Sequence, residues 1–118
     1  MFSPGSSHTY YLYSAPTDMR KSFDSLSGLI RSAMHADPFS GSVYVFINKQ
    51  RNRIKLLHWE GGGFTLYYKR LEKGQFEIPD VSEFTSSIRW SDLMLIVEGI
   101  RLKNIRRSER FSFKKQVN

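Results

Sequence analysis

Three short segments with a repeat of two residues constrain the fold more than any other feature of this sequence. Residues 42–48 read SVYVFIN, and the same alternation recurs in residues 53–59 and in residues 64–70. Polar residues 49–52 separate the first two segments, and a glycine-rich run over residues 60–63 separates the last two. Because alternation indicates strands and short polar connections indicate hairpins, the sequence predicts an antiparallel meander.

A strand and a helix are predicted before the meander. Residues 8–14 are rich in aromatic side chains, which is typical of a strand, and Pro16 ends this segment. Thr17 or Asp18 then offers an N-cap for a helix that runs to about residue 34. Apolar residues recur in this helix at intervals of three or four and form one stripe suited to packing on a sheet: Met19, Phe23, Leu26, Ile30 and Met34.

The chain after the meander predicts one short strand and a second helix. Residues 76–78 are expected to form the strand, and the acidic residues 80–87 a loop. The spacing of apolar residues predicts a helix from about Trp90 to Glu98, with Gly99 as its stop. The predicted fold is therefore α+β, with an antiparallel sheet of four to five strands and two helices packed on one face.

The net charge of +7 is concentrated in two basic blocks. Residues 41–73 carry seven basic and two acidic side chains, and residues 101–118 carry seven basic and one acidic. Residues 74–100, between them, carry one basic and five acidic side chains. This segregation favours a polyanionic partner, although a basic protein with a solvated tail is the simpler alternative. We expect residues 1–100 to form a single domain and residues 101–118 a basic, flexible tail.

Strand register determines which side chains the meander presents together. If both turns are tight, Lys55 lies opposite Lys69, Leu57 opposite Tyr67, and Trp59 opposite Thr65. One face then carries aromatic and basic side chains, with Arg53 at its edge: Tyr44, Phe46, Lys55, Trp59, Tyr67 and Lys69. Such a face resembles a platform on which nucleic-acid bases stack. The alternative is that this face packs under the helices and that its aromatic side chains belong to the core.

The sequence therefore predicts a nucleic-acid interface, in the first place for DNA, made of the basic meander and the tail. The meander residues are Arg51, Arg53, Lys55, Lys69, Arg70 and Lys73, with Trp59 and Tyr67 as stacking partners. The tail residues are Arg106, Arg107, Arg110, Lys114 and Lys115. The alternative is a protein–protein adaptor, in which the acidic residues 77–98 and exposed aromatic side chains form a docking surface.

No residue pattern indicates catalysis, so we expect no catalytic residue, no bound metal and no cofactor. The three histidines are scattered, and the chain has no cysteine. Asp18, Asp24 and Asp37 are explained by a helix start, a partner for Arg20 and a turn. A small metal-dependent nuclease is the alternative from another class. The longest apolar run, residues 93–97, is far shorter than a membrane span of about 20 residues, so a cytoplasmic protein is expected.

Several runs together resemble the small accessory protein family (Orf2-like, TnpB-type) of insertion-sequence-66 transposons. They are residues 17–24 (TDMRKSFD), residues 37–41 (DPFSG) and residues 53–72 (RIKLLHWEGGGFTLYYKRLE). The motif residues are Asp18, Arg20, Lys21, Phe23, Asp24, Pro38, Phe39, Gly41, Gly61 and Gly63. The resemblance covers about residues 9–100, and it departs from the family pattern at Glu60, where aspartate is usual, and at Arg89, where a small polar cap is expected.

The resemblance implies a non-catalytic role in the transposition of a bacterial mobile element. A separate, larger protein is the transposase in this family, and the small protein accompanies it. The implied partners are therefore DNA, the element's transposase and its other accessory protein, with no membrane involved and no implied oligomeric state. The family differs from the RNA-guided nuclease that shares the TnpB label, and it supplies no catalytic residues.

Overall fold

The computed structural model describes residues 8–79 and 83–98. In chain order its elements are β1 (Tyr10–Tyr13), α1 (Phe23–Ser32), β2 (Val43–Ile47), β3 (Arg53–Glu60), β4 (Gly63–Arg70), β5 (Thr85–Ile88) and α2 (Trp90–Val97). The α+β class is confirmed, and so is the second helix. The predicted helix stop at Gly99 and the predicted tail, residues 101–118, lie outside the described residues.

The strands form one sheet in the order β4-β3-β2-β1-β5. β2, β3 and β4 make the predicted antiparallel meander. β1 departs from the prediction because it runs parallel to β2, with Tyr10 opposite Val43 and Tyr13 opposite Phe46. A parallel pair needs a crossover connection, and α1 lies in the connection between these two strands. β5 pairs with the other side of β1 in the antiparallel sense.

The fifth strand lies at a different place in the sequence from the one predicted. Residues 85–88, which were expected to be a loop, form β5, whereas residues 76–78 are irregular. Phe76 is fully buried, and its amide donates to the carbonyl oxygen of Arg51 at 2.6 Å. Thr85 and Ile88 favour a strand but the two serines between them do not, so the pairing with β1 decides the conformation of this segment.

The two helices pack on opposite faces of the sheet, which corrects the prediction that both lie on one face. α1 packs against Tyr44, Phe46 and Leu57. α2 packs against the other face, whose buried side chains include Val43, Val45, Ile47, Ile54 and Leu56. The reason lies in β2, where all five residues are buried. A strand with apolar side chains on both sides requires cover on both faces of the sheet.

α1 begins at Phe23 and not at the predicted Thr17 or Asp18. The amide of Thr17 donates to the last carbonyl of β2 at 2.9 Å, and Asp18 Oδ1 accepts the amide of Arg20 at 2.9 Å. These bonds hold the segment in a turn, because the aspartate side chain competes with a helix for backbone donors. Ser22 then becomes the N-cap, and its amide is satisfied by the side chain of the third helical residue.

The β3–β4 hairpin is tighter than the predicted register allowed. Gly61 (φ 58°) and Gly62 (φ 84°) form its two-residue turn, and Glu60 pairs with Gly63. Positive φ at both central positions is the geometry of a type I′ turn, whose twist matches that of the flanking strands. Every β3–β4 pair is therefore one residue away from the prediction: Lys55 lies opposite Tyr68, Leu57 opposite Leu66, and Trp59 opposite Phe64.

This one-residue shift exchanges the faces of all β4 side chains. Lys55 and Trp59 lie on the face covered by α1, whereas their predicted companions Tyr67 and Lys69 lie on the face covered by α2. The predicted aromatic and basic platform is therefore divided between the two faces. Tyr44 and Phe46, which were predicted to be part of this platform, are buried core side chains. This agrees with the alternative interpretation, in which the aromatic side chains of that face belong to the core.

Candidate nucleic-acid interface

One end of the sheet brings together three segments that are distant in sequence. The segment after β1 is joined to the end of β2 through the amide of Thr17. The amide of Leu71, just after β4, donates to the carbonyl oxygen of Asn52 at 2.8 Å, and Gln75 Nε2 donates to that of Gln50 at 2.9 Å. We call this region, formed by residues 16–21, 48–53 and 70–75, the basic end.

The β2–β3 turn is held in one shape by its own asparagines. Asn48 Oδ1 accepts the amides of Asn52 at 3.0 Å and Arg53 at 2.9 Å, and Asn48 Nδ2 donates to Asn52 Oδ1 at 2.7 Å. Arg51 adopts a left-handed backbone conformation with φ 59°. Both Lys49 and Arg51 are exposed, and neither side chain has a partner among the described residues. The turn thus presents two unpaired cations on a fixed backbone.

A groove of about 530 Å³ lies between this turn and the segment after β1. Residues 16–20 form one wall, and Asn48, Lys49, Gln50, Asn52 and Arg53 form the other. Its volume is within the range of roughly 300–1,000 Å³ that is usual for small-ligand sites. Most of its lining residues are polar or charged, and it lies at the surface, so a charged ligand can reach them.

The acidic residues at the basic end are each engaged by an arginine. Asp18 Oδ2 lies 2.7 Å from Arg20 Nη2, and hydrogen bonding to Arg20 lowers the pKa of Asp18 to about 2. Glu72 Oε2 lies 3.4 Å from Arg70 Nη2. Since these pairs cancel locally, five cations give the basic end its net positive charge: Lys21, Lys49, Arg51, Arg53 and Lys73.

Arg53 and Arg70 lie directly opposite each other on β3 and β4. Like charges at facing positions destabilise an antiparallel pair, so this arrangement has an unfavourable electrostatic energy in the free protein. Arg53 Nη1 reaches the hydroxyl of Tyr68 at 3.4 Å, and Arg70 makes the weak contact with Glu72 described above. An anion bound beside both guanidinium groups would remove the repulsion.

Two of the predicted contact residues have internal partners. Lys55 is only 5% exposed, and its Nζ donates to the carbonyl oxygens of Met19 at 2.7 Å and Lys21 at 2.6 Å. Lys69 is half-buried, and its Nζ donates to the carbonyl oxygen of Val97 at the end of α2, 2.8 Å away. An interface at the basic end therefore draws on the exposed cations and not on Lys55.

The predicted stacking residues are separated from the basic end and from each other. Trp59 lies at the opposite end of the sheet, 4.8 Å from Phe39 and 5.0 Å from Phe64 between ring centroids. Tyr67 is half-buried against the α2 core, where burial and the nearby carboxylate of Glu98 raise the pKa of its hydroxyl. We call Phe39, Trp59 and Phe64 the aromatic cluster.

The family motif residues divide between these two regions. Asp18, Arg20 and Lys21 belong to the basic end, and Phe23 and Asp24 are exposed in the first turn of α1. At the opposite end, Pro38 is buried, Phe39 is 46% exposed, and Gly41 has a φ of 91° that favours glycine. Gly61 forms the hairpin turn and Gly63 opens β4. The motif thus marks both ends of the sheet.

Sequence reasoning did not include Lys49 and Arg20, which line the groove, among the candidate contact residues, and it did not place Phe64 beside Trp59. The Gly-Gly pair at the centre of the hairpin could have fixed the register and placed Phe64 opposite Trp59. Lys49 could have been included, because it lies in the polar turn that was predicted over residues 49–52. The position of Arg20 could not have been predicted from the sequence, because it depends on the packing of the segment after β1 beside the β2–β3 turn.

The described residues contain neither a metal-binding cluster nor a membrane-spanning helix. Within residues 8–79 and 83–98, no group of three or more histidine, aspartate or glutamate side chains could hold a metal ion. No helix among these residues has the length and apolar character needed to cross a bilayer. Asp37, which could have been a metal ligand, accepts the amide of Phe39 at 2.9 Å and so forms a turn.

Comparisons with known proteins find one family and two relatives. Residues 8–107 match the sequence model of the family described as IS66 Orf2 like protein. The chain is similar to uncharacterized protein y4jC of Sinorhizobium fredii (strain NBRC 101917 / NGR234), with 30% identity over 107 residues, 91% of this chain and 92% of the relative. Uncharacterized protein y4hO of the same strain is 27% identical over 100 residues, 85% of this chain and 87% of the relative. No solved structure matches the chain.

Proposed function

Because the chain belongs to the IS66 Orf2 like family, which implies an accessory role in transposition, we propose that it performs this role by binding DNA at the basic end. In this proposal the protein is not an enzyme: it holds DNA in the bacterial cytoplasm while the element's transposase, with the other accessory protein, carries out the chemistry. No cofactor takes part. The structural support is a groove with Arg20, Lys49 and the half-buried Arg53 in its walls, and the exposed Arg51, Arg70 and Lys73 at the same end of the sheet.

The observation that carries the proposal is the facing pair of Arg53 and Arg70. Two guanidinium groups at opposed strand positions repel each other, and a phosphate oxygen between them can accept hydrogen bonds from both. Lys49 and Arg51 extend the positive surface along the fixed β2–β3 turn. Contacts of this kind bind the phosphate backbone and do not read bases, so we propose binding with little sequence preference.

The proposal also includes the basic residues 101–118, which lie outside the described part of the chain. Lys69 Nζ bonds to the carbonyl oxygen of Val97, so the end of α2 lies beside the end of β4. Residues 101–118 follow shortly after and contain seven basic side chains. We propose that five of them bind phosphates next to the basic end: Arg106, Arg107, Arg110, Lys114 and Lys115.

A salt titration of DNA binding tests this function. The affinity of the full chain for a labelled duplex is measured at increasing salt, for the element's terminal sequence and for an unrelated duplex. We expect the logarithm of the association constant to fall linearly with the logarithm of the salt concentration. The magnitude of this slope should be about 0.9 for each phosphate contact. A chain that lacks residues 101–118 should show a smaller slope. The absence of measurable duplex binding at low salt contradicts the proposal.

A second candidate function, a protein–protein adaptor that docks on the transposase without contacting DNA, is favoured by the aromatic cluster. Phe39 is 46% exposed, and Trp59 and Phe64 beside it are half-buried. Partly exposed aromatic side chains are typical anchors at protein interfaces. The acidic residues first assigned to such a surface are less suitable, since Asp92 is paired with Arg89 at 3.2 Å.

Co-purification with the transposase after nuclease treatment tests the adaptor function. Phe39→Ser should abolish retention of the transposase if the aromatic cluster is the docking surface, because it removes the most exposed ring of the three. Phe23→Ser is a matched control, since Phe23 is similarly exposed, at 42%, but lies outside the cluster, in the first turn of α1. Equal retention by both variants excludes docking through this cluster.

A further inference from the structure

β4 is an edge strand with a long unpaired side. It spans eight residues, Gly63–Arg70, and only β3 pairs with it in the described sheet. The other edge, β5, has four residues. Edge strands present a row of backbone donors and acceptors to any extended chain, and natural proteins usually shorten or charge them. The charged residues of β4, Lys69 and Arg70, are both at its C-terminal end.

The hairpin geometry defines which backbone groups of β4 point outward. In a two-residue hairpin the closing pair, here Glu60 and Gly63, is hydrogen-bonded, and hydrogen-bonded and non-bonded pairs then alternate. The bond from the Leu71 amide to the Asn52 carbonyl fits this alternation. The outward residues are therefore Phe64, Leu66, Tyr68 and Arg70. No hydrogen bond joins their outward groups to another residue within the described ranges.

We propose that β4 pairs in antiparallel fashion with β4 of a second copy of this chain, which creates one continuous ten-stranded sheet. Facing residues of an antiparallel pair have their side chains on the same face of the sheet, and side chains along β4 alternate between the two faces. Residues that face each other across a two-fold axis must therefore differ by an even number of positions, so one residue lies opposite itself. Alignment on Tyr67 uses the whole outward row. Phe64 then faces Arg70 of the second copy, and Leu66 faces Tyr68.

The side chains of β4 complement themselves in this register. Arg70 of one copy faces Phe64 of the other, whose ring lies 5.0 Å from that of Trp59, so the guanidinium meets aromatic rings. Lys69 faces Thr65, whose hydroxyl donates to Glu60 Oε2 at 3.1 Å, which brings a carboxylate near the ammonium. No two like charges face each other. Because the cations are at one end of β4, antiparallel pairing separates those of the two copies.

This self-complementarity favours a second copy over an unrelated extended peptide. A foreign strand would need an apolar or aromatic residue opposite Arg70 and a carboxylate near Lys69. A second copy of this chain provides both, through Phe64 of β4 and Glu60 of β3. Tyr68, which is 48% exposed, would be covered by Leu66 of the second copy. The dimer buries no residue of the β2–β3 turn, so Lys49, Arg51 and Arg53 stay open to nucleic acid, whereas Arg70 faces the second copy.

Two substitutions at one position separate backbone pairing from side-chain contact. Tyr68→Pro removes an outward amide, which an edge strand tolerates, whereas Tyr68→Ala removes the same side chain and keeps the amide. Analytical ultracentrifugation over a wide concentration range should show the parent and Tyr68→Ala as dimers of the 13.8 kDa chain. The dissociation constant of Tyr68→Pro should rise about tenfold or more relative to Tyr68→Ala, because two interchain hydrogen bonds are lost. A parent that stays monomeric, or equal dimerisation of the two variants, overturns the proposal.

Amide hydrogen exchange of the parent protein gives a test that needs no variant. The amides of Thr65, Tyr67 and Lys69 bond to β3 and should be protected at every concentration. Those of Leu66 and Tyr68 should become protected only as the protein concentration rises. Protection of the outward amides that appears only when the transposase is added would identify a different partner strand and overturn self-pairing. Uniformly fast exchange of the outward amides at all concentrations would overturn it as well.

Discussion

Lys55 Nζ lies 2.7 Å from the backbone carbonyl oxygen of Met19. The same ammonium bonds to the carbonyl oxygen of Lys21 at 2.6 Å and lies 4.6 Å from the centroid of the Tyr68 ring. A buried charge is tolerated only when it is hydrogen-bonded, and these contacts meet that condition. The lysine therefore joins β3 to the segment that forms one wall of the groove, and so it positions the basic end without belonging to its surface.

Replacing Lys55 should reduce stability and leave the salt dependence of DNA binding unchanged. Lys55→Met keeps the length of the side chain but removes the donor, which leaves two backbone carbonyls without their partner. We expect a loss of about 1–3 kcal/mol in the free energy of unfolding, measured by denaturant titration. Lys73→Met is the control, since Lys73 is exposed and a surface change of this kind alters stability by about 0.5 kcal/mol or less. An unchanged stability together with a reduced salt slope would show that Lys55 contacts phosphate.

The pair of Asp18 and Arg20 predicts a stability effect that depends on pH. The pKa of Asp18 is about 2 in the folded protein, against an ordinary value of 3.8. Because the folded-state pKa is lowered, the carboxylate stabilises the fold above pH 3.8, and this contribution is lost as the pH falls towards 2. Thermal unfolding of the parent and of Asp18→Asn should therefore differ near pH 6 and converge near pH 2. A difference that is the same at both pH values contradicts this role.

The hairpin turn predicts that substitutions at its two neighbouring glycines, Gly61 and Gly62, differ in their effect on stability. Gly62 has a φ of 84°, and no atom lies within 4 Å of the place where a Cβ would stand, so only backbone strain opposes a side chain there. Gly62→Ala should cost about 1–2 kcal/mol of unfolding free energy. Gly61→Asn should be close to neutral, because Asn-Gly is a favoured type I′ pair. Equal effects of the two variants in thermal melts would contradict the assigned turn type.

Local pattern was sufficient to predict the meander, because both its strands and its turns have short-range signatures. It failed where partners distant in sequence decide the structure. Residues 85–88 become a strand through pairing with β1, and Asp18 is excluded from α1 by bonds to its neighbours and by the contact of Thr17 with β2. The apolar content of both faces of β2 already implied helices on opposite sides.

The site was predicted less completely than the fold. Charge segregation singled out Arg51, Arg53, Arg70 and Lys73, and the structure brings these four residues to the basic end; their contact with nucleic acid stays a prediction. A one-residue error in register combined Lys55 with Lys69 and Trp59 with Tyr67, although each pair is divided between two faces. Because side chains alternate between the two faces of a strand, a register error of one residue assigns every side chain of the strand to the wrong face. Contact with backbone carbonyls, which removes Lys55 from the surface, leaves no trace in sequence.

The central claim, that the cations of the basic end bind phosphate, is tested most directly by two double variants of equal net charge. Lys49→Gln/Arg51→Asn removes two cations from the β2–β3 turn, and asparagine tolerates the left-handed conformation of position 51. Arg31→Gln/Arg89→Gln removes two exposed cations away from the basic end. The salt slope of duplex binding should fall by about two in the first variant and stay at the parent value in the second. Equal slopes in both variants would show that net charge, and not this site, governs binding, and would contradict the account.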